Sequence, residues 1–172
     1  MRSSEFKMRV MPYSDRIYRM AYRLMGNHEE SEDIVQEVYV KLWGLRHKLD
    51  HYDSIEALSI RITRNLCLDQ LRRRKTKQNA MSSEKTKWED KHSETPEDRL
   101  ERKEEKEVVL SLIAALPEPQ RSLVHLRHIE EKEYDEIASM VNMNVNAIRV
   151  SISRARNQMR EILEKKYATW KA

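Results

Sequence analysis

Apolar residues recur along most of the chain with the three- and four-residue spacing of amphipathic helices. The first such stretch runs from about Ser14 to Met25, and its apolar positions are Ile17, Met20, Ala21 and Leu24. A second follows through SEDIVQEVYVKLW, with an apolar stripe formed by Ile34, Val38, Leu42 and Leu45. Gly26 and Asn27 lie between the two stretches. Because both residues tolerate the left-handed backbone conformation, they predict the end of the first helix.

A third, longer helix is predicted through IEALSIRITRNLCLDQLRRRK, with Ser54 before it as a favourable N-cap. From Thr76 to about Glu94 the helical pattern fails. TKQNAMSSEKTKWEDKHSE is polar and almost free of aliphatic residues, which is typical of a mobile linker. The segment TPED then predicts a new helix, in which Thr95 is the cap, Pro96 takes the first helical position and Asp98 completes a capping box.

The last third of the chain has the layout of a helix-turn-helix. The helix that starts at TPED should run to about Ala115, where LPEPQ interrupts it, and a further helix carries Leu123, Leu126 and Ile129. A short helix, EYDEIASMV, is followed by a break and a longer final helix. Asn142 takes the turn position where glycine is usual, and asparagine is the next best residue there. Asn144 is a good N-cap for the final helix.

The final helix has one apolar face and one basic face. Ile148, Ile152, Ala155, Met159 and Ile162 define the predicted core face. On the opposite face lie Asn146, Val150, Ser153 and Asn157, with Arg149, Arg156 and Arg160 on one side of them and Arg154 on the other. Residues 141–160 contain no acid. Amide and small side chains framed by guanidinium groups suit a DNA groove, where arginines bind phosphates or guanine edges. The alternative is a solvated basic face.

The third predicted helix is also basic at its end. Its segment RITRNLCLDQLRRRK holds a single acid, Asp69, and six basic residues: Arg61, Arg64, Arg72, Arg73, Arg74 and Lys75. A helix end that satisfies its own dipole explains the last four well. It explains Arg61 and Asn65 poorly. These two residues share a helical stripe with Arg72, and the Asn65 amide can pair with a base edge.

The second helix carries the opposite charge. Glu32, Asp33 and Gln36 lie opposite its apolar stripe, and Val40 and Trp43 continue that face. A large exposed aromatic residue beside acids is typical of a protein-contact surface. Packing of Trp43 into the helix bundle is the alternative for that residue.

Composition supports an all-α chain and excludes several kinds of site. The 172 residues include only two glycines, and 36% are charged. Residues 1–75 hold 15 basic and 11 acidic side chains, residues 76–115 hold 8 and 10, and residues 116–172 hold 10 and 8, so two basic ends flank an acidic middle. The single cysteine, Cys67, excludes a disulfide framework, and no P-loop, dinucleotide turn or nucleophile motif is present. No enzyme activity and no cofactor are expected. A phosphotransfer or nucleotide-binding enzyme is disfavoured by the missing glycines.

Two histidine pairs and the chain start need separate mention. His47 and His51, like His125 and His128, have helical spacing that suits two metal ligands, but neither pair has a third ligand nearby in sequence. Surface or interface roles are therefore expected for them. Nothing near the start resembles a signal peptide and no run has membrane-spanning length, which predicts a cytoplasmic protein.

Four segments, taken in order, resemble the successive regions of a bacterial RNA polymerase sigma factor of the extracytoplasmic-function (ECF) type in the sigma-70 family. They are SEDIVQEVYVKLW, IRITRNLCLDQLRRR, LPEPQRSLVHLRHIEEKEYDEIA and NAIRVSISRARNQMR, within a match from about Tyr13 to Leu163. The resemblance implies two small helical domains: sigma domain 2 at residues 1–75 and sigma domain 4 at 95–172, joined by a flexible linker at 76–94. That linker contains Trp88, which matches the connector that passes through the polymerase channels.

The resemblance also implies three binding surfaces. The clamp coiled coil of core RNA polymerase would dock on Glu32, Asp33, Gln36 and Glu37. The segment from about Lys48 to Arg73 would bind the minus-ten element, with candidates Arg61, Arg64, Asn65, Asp69, Arg72 and Arg73. The final helix would bind minus-thirty-five duplex, with candidates Asn146, Arg149, Val150, Ser153, Arg154 and Arg156. The first helices of domain 4 would grip the polymerase flap, and an anti-sigma factor would cover the polymerase-binding faces.

The chain departs from the family pattern at three places. Leu58 stands where the family often has tryptophan, Ser151 where a basic residue is usual, and Asn146-Ala147 where glycine-threonine is usual. The fold of the final helix therefore carries over, and its base preference does not. The expected function is promoter-specific transcription initiation on core RNA polymerase. The alternative is a stand-alone helix-turn-helix regulator that binds duplex without polymerase.

Overall fold

The computed structural model describes residues 2–80 and 98–170, with side chains described over 2–77 and 105–168. Over these ranges the protein is all-α, as predicted. The N-terminal bundle contains α1 (Ser3–Val10), α2 (Ser14–Met25), α3 (His28–Gly44) and α4 (Ile55–Ala80). The C-terminal unit contains α5 (Asp98–Ala114), α6 (Gln120–Val124), α7 (Tyr134–Val141) and α8 (Val145–Trp170). A single π-helical turn, His125–Ile129, extends α6.

The N-terminal bundle forms because α2, α3 and α4 bury their apolar stripes against one another. The predicted stripe of α2 is fully buried, and so are Ile34, Val38 and Leu42 of α3. Gly26 ends α2 in the left-handed conformation at φ 68°. Ser54 accepts a hydrogen bond from the Ala57 amide at 3.1 Å and so caps the start of α4. Both predicted helix signals are thus confirmed.

The C-terminal unit contains the predicted helix-turn-helix in α7 and α8. Asn142 follows α7 at φ 55°, the left-handed turn conformation. The Asn144 Oδ1 accepts from the Ala147 amide at 2.8 Å, which caps α8 as expected. A capping box between Glu133 and Glu136 starts α7. The start of α7, the turn after it and the start of α8 are therefore each defined by local interactions or backbone conformation.

Several element boundaries differ from the sequence-based prediction. Helix α1 was not predicted, because only Phe6 and Val10 face the core and two apolar residues define no periodicity. Helix α4 continues to Ala80, although the predicted linker begins at residue 76. The predicted cap at Thr95 and Pro96 lies outside the described residues, as does Trp88. Ile129, predicted on the same apolar stripe as Leu123 and Leu126, is 36% exposed at the end of the π-helical turn.

The two halves pack against each other. Helix α4 contacts α7, and α2 contacts α6. Leu123, Leu126, Ile137 and Met140 of the C-terminal unit belong to the same buried cluster as the core of the N-terminal bundle. A second, smaller cluster lies between α5, α6 and α8 and includes Ile113, Leu116 and Ala155. The apolar core is therefore continuous across the two halves.

Candidate functional site

Helix α8 presents its basic face to solvent. Ile148, Ile152 and Ala155 are buried, which confirms the predicted core face. On the outer side the exposed residues are Asn146, Arg149, Val150, Ser153, Arg154, Arg156, Asn157 and Arg160. All the predicted duplex-contacting side chains therefore lie on one accessible surface, here called the α8 basic face. Its positive charge is not cancelled by acids of the same helix until Glu161.

The ring of Tyr134, at the start of α7, contacts two guanidinium groups beside this surface. The Arg149 guanidinium carbon lies 5.0 Å from the ring centroid, and that of Arg127 lies 4.9 Å from it. Arg127 also donates to the Lys132 carbonyl at 2.8 Å and lies 3.2 Å from a Glu133 carboxylate oxygen. Sequence reasoning missed Tyr134, because an aromatic residue at a helix start carries no signal until its neighbours in space are known.

The candidate minus-ten residues of α4 divide into an exposed and a covered group. Asn65, Asp69, Arg72 and Arg73 are exposed, whereas Arg61 is half-buried. Arg72 donates to Asp69 at 3.1 Å, one turn away. Arg74, at the basic end of the helix, pairs with Glu30 of α3 and so belongs to the bundle. The exposed group forms a polar and basic stripe that is accessible in this arrangement.

Arg64 forms the covered group. Its Nε donates to the Ser122 hydroxyl at 3.3 Å and its Nη2 to the Glu118 carboxylate at 3.4 Å, both in the C-terminal unit. The Arg64 side chain is only 13% exposed as a result. A cleft of about 520 Å³ opens next to it, lined also by Leu71, Arg72 and Met143. Leu58 is buried as well, so it offers no side chain for strand separation here.

The acidic face of α3 is exposed. Glu32, Asp33, Gln36 and Glu37 all lie on the solvent side of the helix. Val40, 70% exposed, continues this face. Trp43 is both packed in the bundle and partly exposed. Its ring centroid lies 5.1 Å from that of Phe6 in an edge-on contact and 4.7 Å from the Arg46 guanidinium carbon, and the residue remains 38% exposed. The α3 surface thus places exposed carboxylates beside a partly accessible aromatic ring.

A cluster of charged side chains joins the two halves. The spacing of residues along the sequence gives no indication of it, because Arg19 and Glu130 are 111 positions apart. Glu130 is only 5% exposed and accepts two hydrogen bonds from Arg19, at 2.6 and 2.8 Å. Arg16 lies 3.7 Å from the same carboxylate, and the buried His125 ring lies 3.4 Å from it. Lys132 reaches Glu56 of α4 at 2.7 Å. Arg16, Arg19, Glu56, Glu130 and Lys132 are called the interdomain ion cluster below.

Electrostatics shape this cluster. Burial alone raises the pKa of Glu130, but the hydrogen bonds from Arg19 and His125 and their positive charge outweigh it and lower the pKa to about 2. Burial lowers the pKa of His125, against the opposing effect of the Glu130 carboxylate. The Glu130 carboxylate is therefore ionised and held by arginines from the opposite half.

Two kinds of reactive group can be assessed over the described residues, the cysteine thiol and clusters of metal ligands; Cys67 is free and buried. Burial raises the pKa of the Cys67 thiol to about 12, which keeps it protonated and unreactive. Within the described ranges, no three histidine, cysteine or acidic side chains are grouped to hold a metal ion. Of the helices over the same ranges, none combines the length and apolar character needed to cross a bilayer.

Comparison with known proteins decides the family. Residues 10–77 match Sigma-70 region 2, and residues 106–159 match Sigma-70 region 4. The chain is 31% identical over 161 residues to the ECF RNA polymerase sigma factor SigE of Mycolicibacterium smegmatis, covering 91% of this chain and 60% of that protein. It belongs to the sigma-70 family, as an ECF sigma factor.

Two further comparisons agree with this assignment. The ECF RNA polymerase sigma factor SigW of Bacillus subtilis is 28% identical over 162 residues, which cover 88% of this sigma factor and 84% of SigW. The sigma factor RpoE of Bartonella quintana, solved with the anti-sigma factor NepR, has the same fold with a TM-score of 0.76 at 21% identity, over 93% of this chain and 97% of that one. The stand-alone regulator is accordingly not favoured.

Proposed function

We propose that this sigma factor directs promoter-specific transcription initiation through three separate surfaces. The acidic face of α3 (Glu32, Asp33, Gln36, Glu37) docks on the clamp coiled coil of core RNA polymerase. The exposed stripe of α4, together with Arg61 and Arg64, holds the minus-ten element. The α8 basic face binds the minus-thirty-five duplex. The first helices of the C-terminal unit grip the polymerase flap.

The observation that carries this proposal is the outward display of the α8 basic face. Guanidinium groups bind phosphates at any sequence and pair with guanine edges at specific positions, whereas Asn146 and Ser153 are short enough to let the helix approach the bases. Because phosphate binding releases counterions, we expect promoter affinity to fall steeply with salt. The capped turn before α8 presents this face in a fixed orientation.

An anti-sigma factor is a proposed second partner. RpoE of Bartonella quintana was solved with the anti-sigma factor NepR, and CnrH, which matches at a TM-score of 0.66 and 21% identity over 95% of this chain and 90% of that one, was solved with the cytosolic domain of CnrY. Exposed apolar side chains beside the α3 acids, Val40 above all, offer such a partner contact area in this chain.

Reconstituted transcription tests the proposal. The purified chain is mixed with core polymerase, run-off transcripts from genomic DNA are sequenced, and the mapped promoters are then assayed singly. Arg149→Ala should lower transcription from promoters with an intact upstream element roughly tenfold, since one good base contact is worth about 1–3 kcal/mol. Affinity for core polymerase should not change. Asp33→Lys should have the opposite pattern: it should weaken binding to core polymerase and leave recognition of the upstream element unchanged.

Lys166→Ala provides the matched control, because Lys166 is an exposed basic residue of α8 far from the turn. It should leave both readouts unchanged. A chain that binds duplex tightly alone and captures no core polymerase would overturn the proposal in favour of the stand-alone regulator. Equal loss of core binding and upstream recognition in Arg149→Ala would overturn the division of labour between α3 and α8.

A further inference from the structure

We propose that Tyr134 is a positioning residue that orients Arg149 for duplex binding. Its ring lies 5.0 Å from the Arg149 guanidinium, a cation–π distance. Arg149 is exposed and carries a long, flexible side chain that loses rotamer freedom on binding. A ring that holds the guanidinium before DNA arrives reduces that cost. This inference rests on the proposed function of the α8 basic face.

The ring itself is held in place. Tyr134 is the first residue of α7, whose start is fixed by the Glu133–Glu136 capping box. Arg127 contacts the same ring at 4.9 Å and is anchored in turn by the Lys132 carbonyl and Glu133. The nearby Glu133 carboxylate offsets the repulsion between the two guanidinium groups. Tyr134 is therefore a fixed platform and not a mobile side chain.

A double-mutant cycle tests this role. Binding of the full chain is measured to a labelled duplex from the upstream region of a mapped promoter, and to a scrambled duplex as the non-specific reference. Tyr134→Leu should weaken specific binding roughly twofold to fivefold, within the range of an exposed cation–π contact. Tyr134→Phe keeps the ring and should retain wild-type affinity. In an Arg149→Ala background, Tyr134→Leu should have no further effect. Tyr167→Leu, an exposed tyrosine elsewhere on α8, is the control.

The outcomes separate the positioning role from its premise. Additive losses in the double variant, or a loss in Tyr134→Phe equal to that in Tyr134→Leu, would overturn the positioning role while leaving the proposed function intact. No change in Arg149→Ala would overturn both, because Arg149 itself would then not contact the duplex. Circular dichroism of each variant shows whether α7 and α8 remain folded.

The contact between the two halves supports a second, independent inference. We infer that the free chain is held closed by the interdomain ion cluster, and that this closure inhibits promoter engagement. Glu130 receives two hydrogen bonds from Arg19, and Lys132 pairs with Glu56, so ion pairs of both polarities cross the same interface. The apolar cluster that continues from α4 into α7 lies beside them. Removal of Arg19 would leave the Glu130 carboxylate, which is only 5% exposed, with less charge compensation, so the pair favours this arrangement.

The closed arrangement covers part of the DNA-binding apparatus. Arg64, a candidate minus-ten residue, donates to Ser122 and Glu118 of the C-terminal unit and is largely buried there. Within this packing, its guanidinium is not available to a DNA strand. The α8 basic face and the α3 acidic face stay exposed. Closure therefore covers Arg64 and leaves the exposed stripe of α4 accessible, so the halves must separate before Arg64 reaches DNA.

Charge reversal on either side of the interface should open the free chain. Arg19→Glu and Glu130→Arg each place like charges together, and the Arg19→Glu/Glu130→Arg exchange restores opposite charges. Small-angle X-ray scattering of the full chain should show a larger radius of gyration for each single variant and a wild-type value for the exchange. Arg9→Glu is the matched control, since Arg9 pairs with Asp50 inside the N-terminal bundle and the charge change is the same.

Opening should also change binding. A labelled single strand carrying the minus-ten element should bind the two open variants roughly fivefold or more tightly, because the competent population rises. Unchanged radii in both single variants, or an exchange variant that stays open, would overturn the inference. Arg19→Gln repeats the test with a milder change if the reversals unfold the chain, and unchanged scattering of that folded variant would count against closure.

Discussion

At the scale of single residues, the structure shows why similar side chains of one chain have different roles. Arg64 and Arg72 lie on the same helix, yet one is buried against the C-terminal unit and the other is exposed. Their sequence contexts do not distinguish them, because the difference arises from the partner surface. Asn142 and Asn144 are also close in sequence, and here local physics suffices: the first takes a left-handed turn and the second caps a helix.

Asn142 gives a residue-scale prediction about stability. Its φ of 55° costs an alanine about 1–2 kcal/mol, whereas glycine adopts this conformation freely. We expect Asn142→Ala to lower the free energy of unfolding by about 1 kcal/mol and Asn142→Gly to change it little, as measured by urea denaturation. Asn157→Ala, at an exposed helical position of α8, should cause no loss. An equal loss in the alanine and glycine variants at 142 would contradict the explanation.

At the scale of elements, helical periodicity and caps predicted most of the fold. The ends of α2 and α7, the start of α4 and the core face of α8 follow from short-range chemistry that a sequence displays directly. Helix α1 escaped prediction because two buried side chains are too few to define a face. The extension of α4 through residues 76–80 escaped because polar residues there resemble a linker, although a preceding helix propagates through them at little cost.

At the element scale, some surfaces of the candidate site could be predicted from sequence and others could not. The exposed positions of α3 and α8 follow from their apolar stripes, since a buried face fixes the opposite one. The sequence predicts that Arg64 binds DNA together with the neighbouring residues of α4. In the structure a second side of α4 is also covered, because α7 packs on it and Arg64 contacts Ser122 of α6. Such a surface depends on contacts between residues that are far apart in sequence, as Arg19 and Glu130 are.

At the scale of the whole molecule, the two halves are joined by apolar packing and by ion pairs that act differently. The apolar cluster across α4 and α7 stabilises the association of the two halves, but hydrophobic contacts are non-directional and do not select one relative position of the helices. The Glu130 carboxylate requires Arg19 and Arg16 nearby, because a buried charge without partners is costly. Together they join the two family regions, residues 10–77 and 106–159, through one continuous apolar core and a set of ion pairs.

This combination predicts an acid-sensitive association between the halves. The pKa of Glu130 is lowered to about 2 in the folded chain from an ordinary value of 4.5, so its contribution is complete above about pH 4.5 and is lost as pH falls towards 2. Scattering and thermal unfolding between pH 6 and pH 2.5 should show the halves separating and stability declining within that window. The Glu130→Gln variant should have lower stability at pH 6 and a weaker pH dependence, because glutamine carries no titrating proton. A matched Asp50→Asn variant, which alters an exposed ion pair inside the N-terminal bundle, should follow the wild-type curve. A Glu130→Gln curve parallel to the wild type down to pH 2.5 would assign the acid sensitivity to other carboxylates and remove Glu130 as its source.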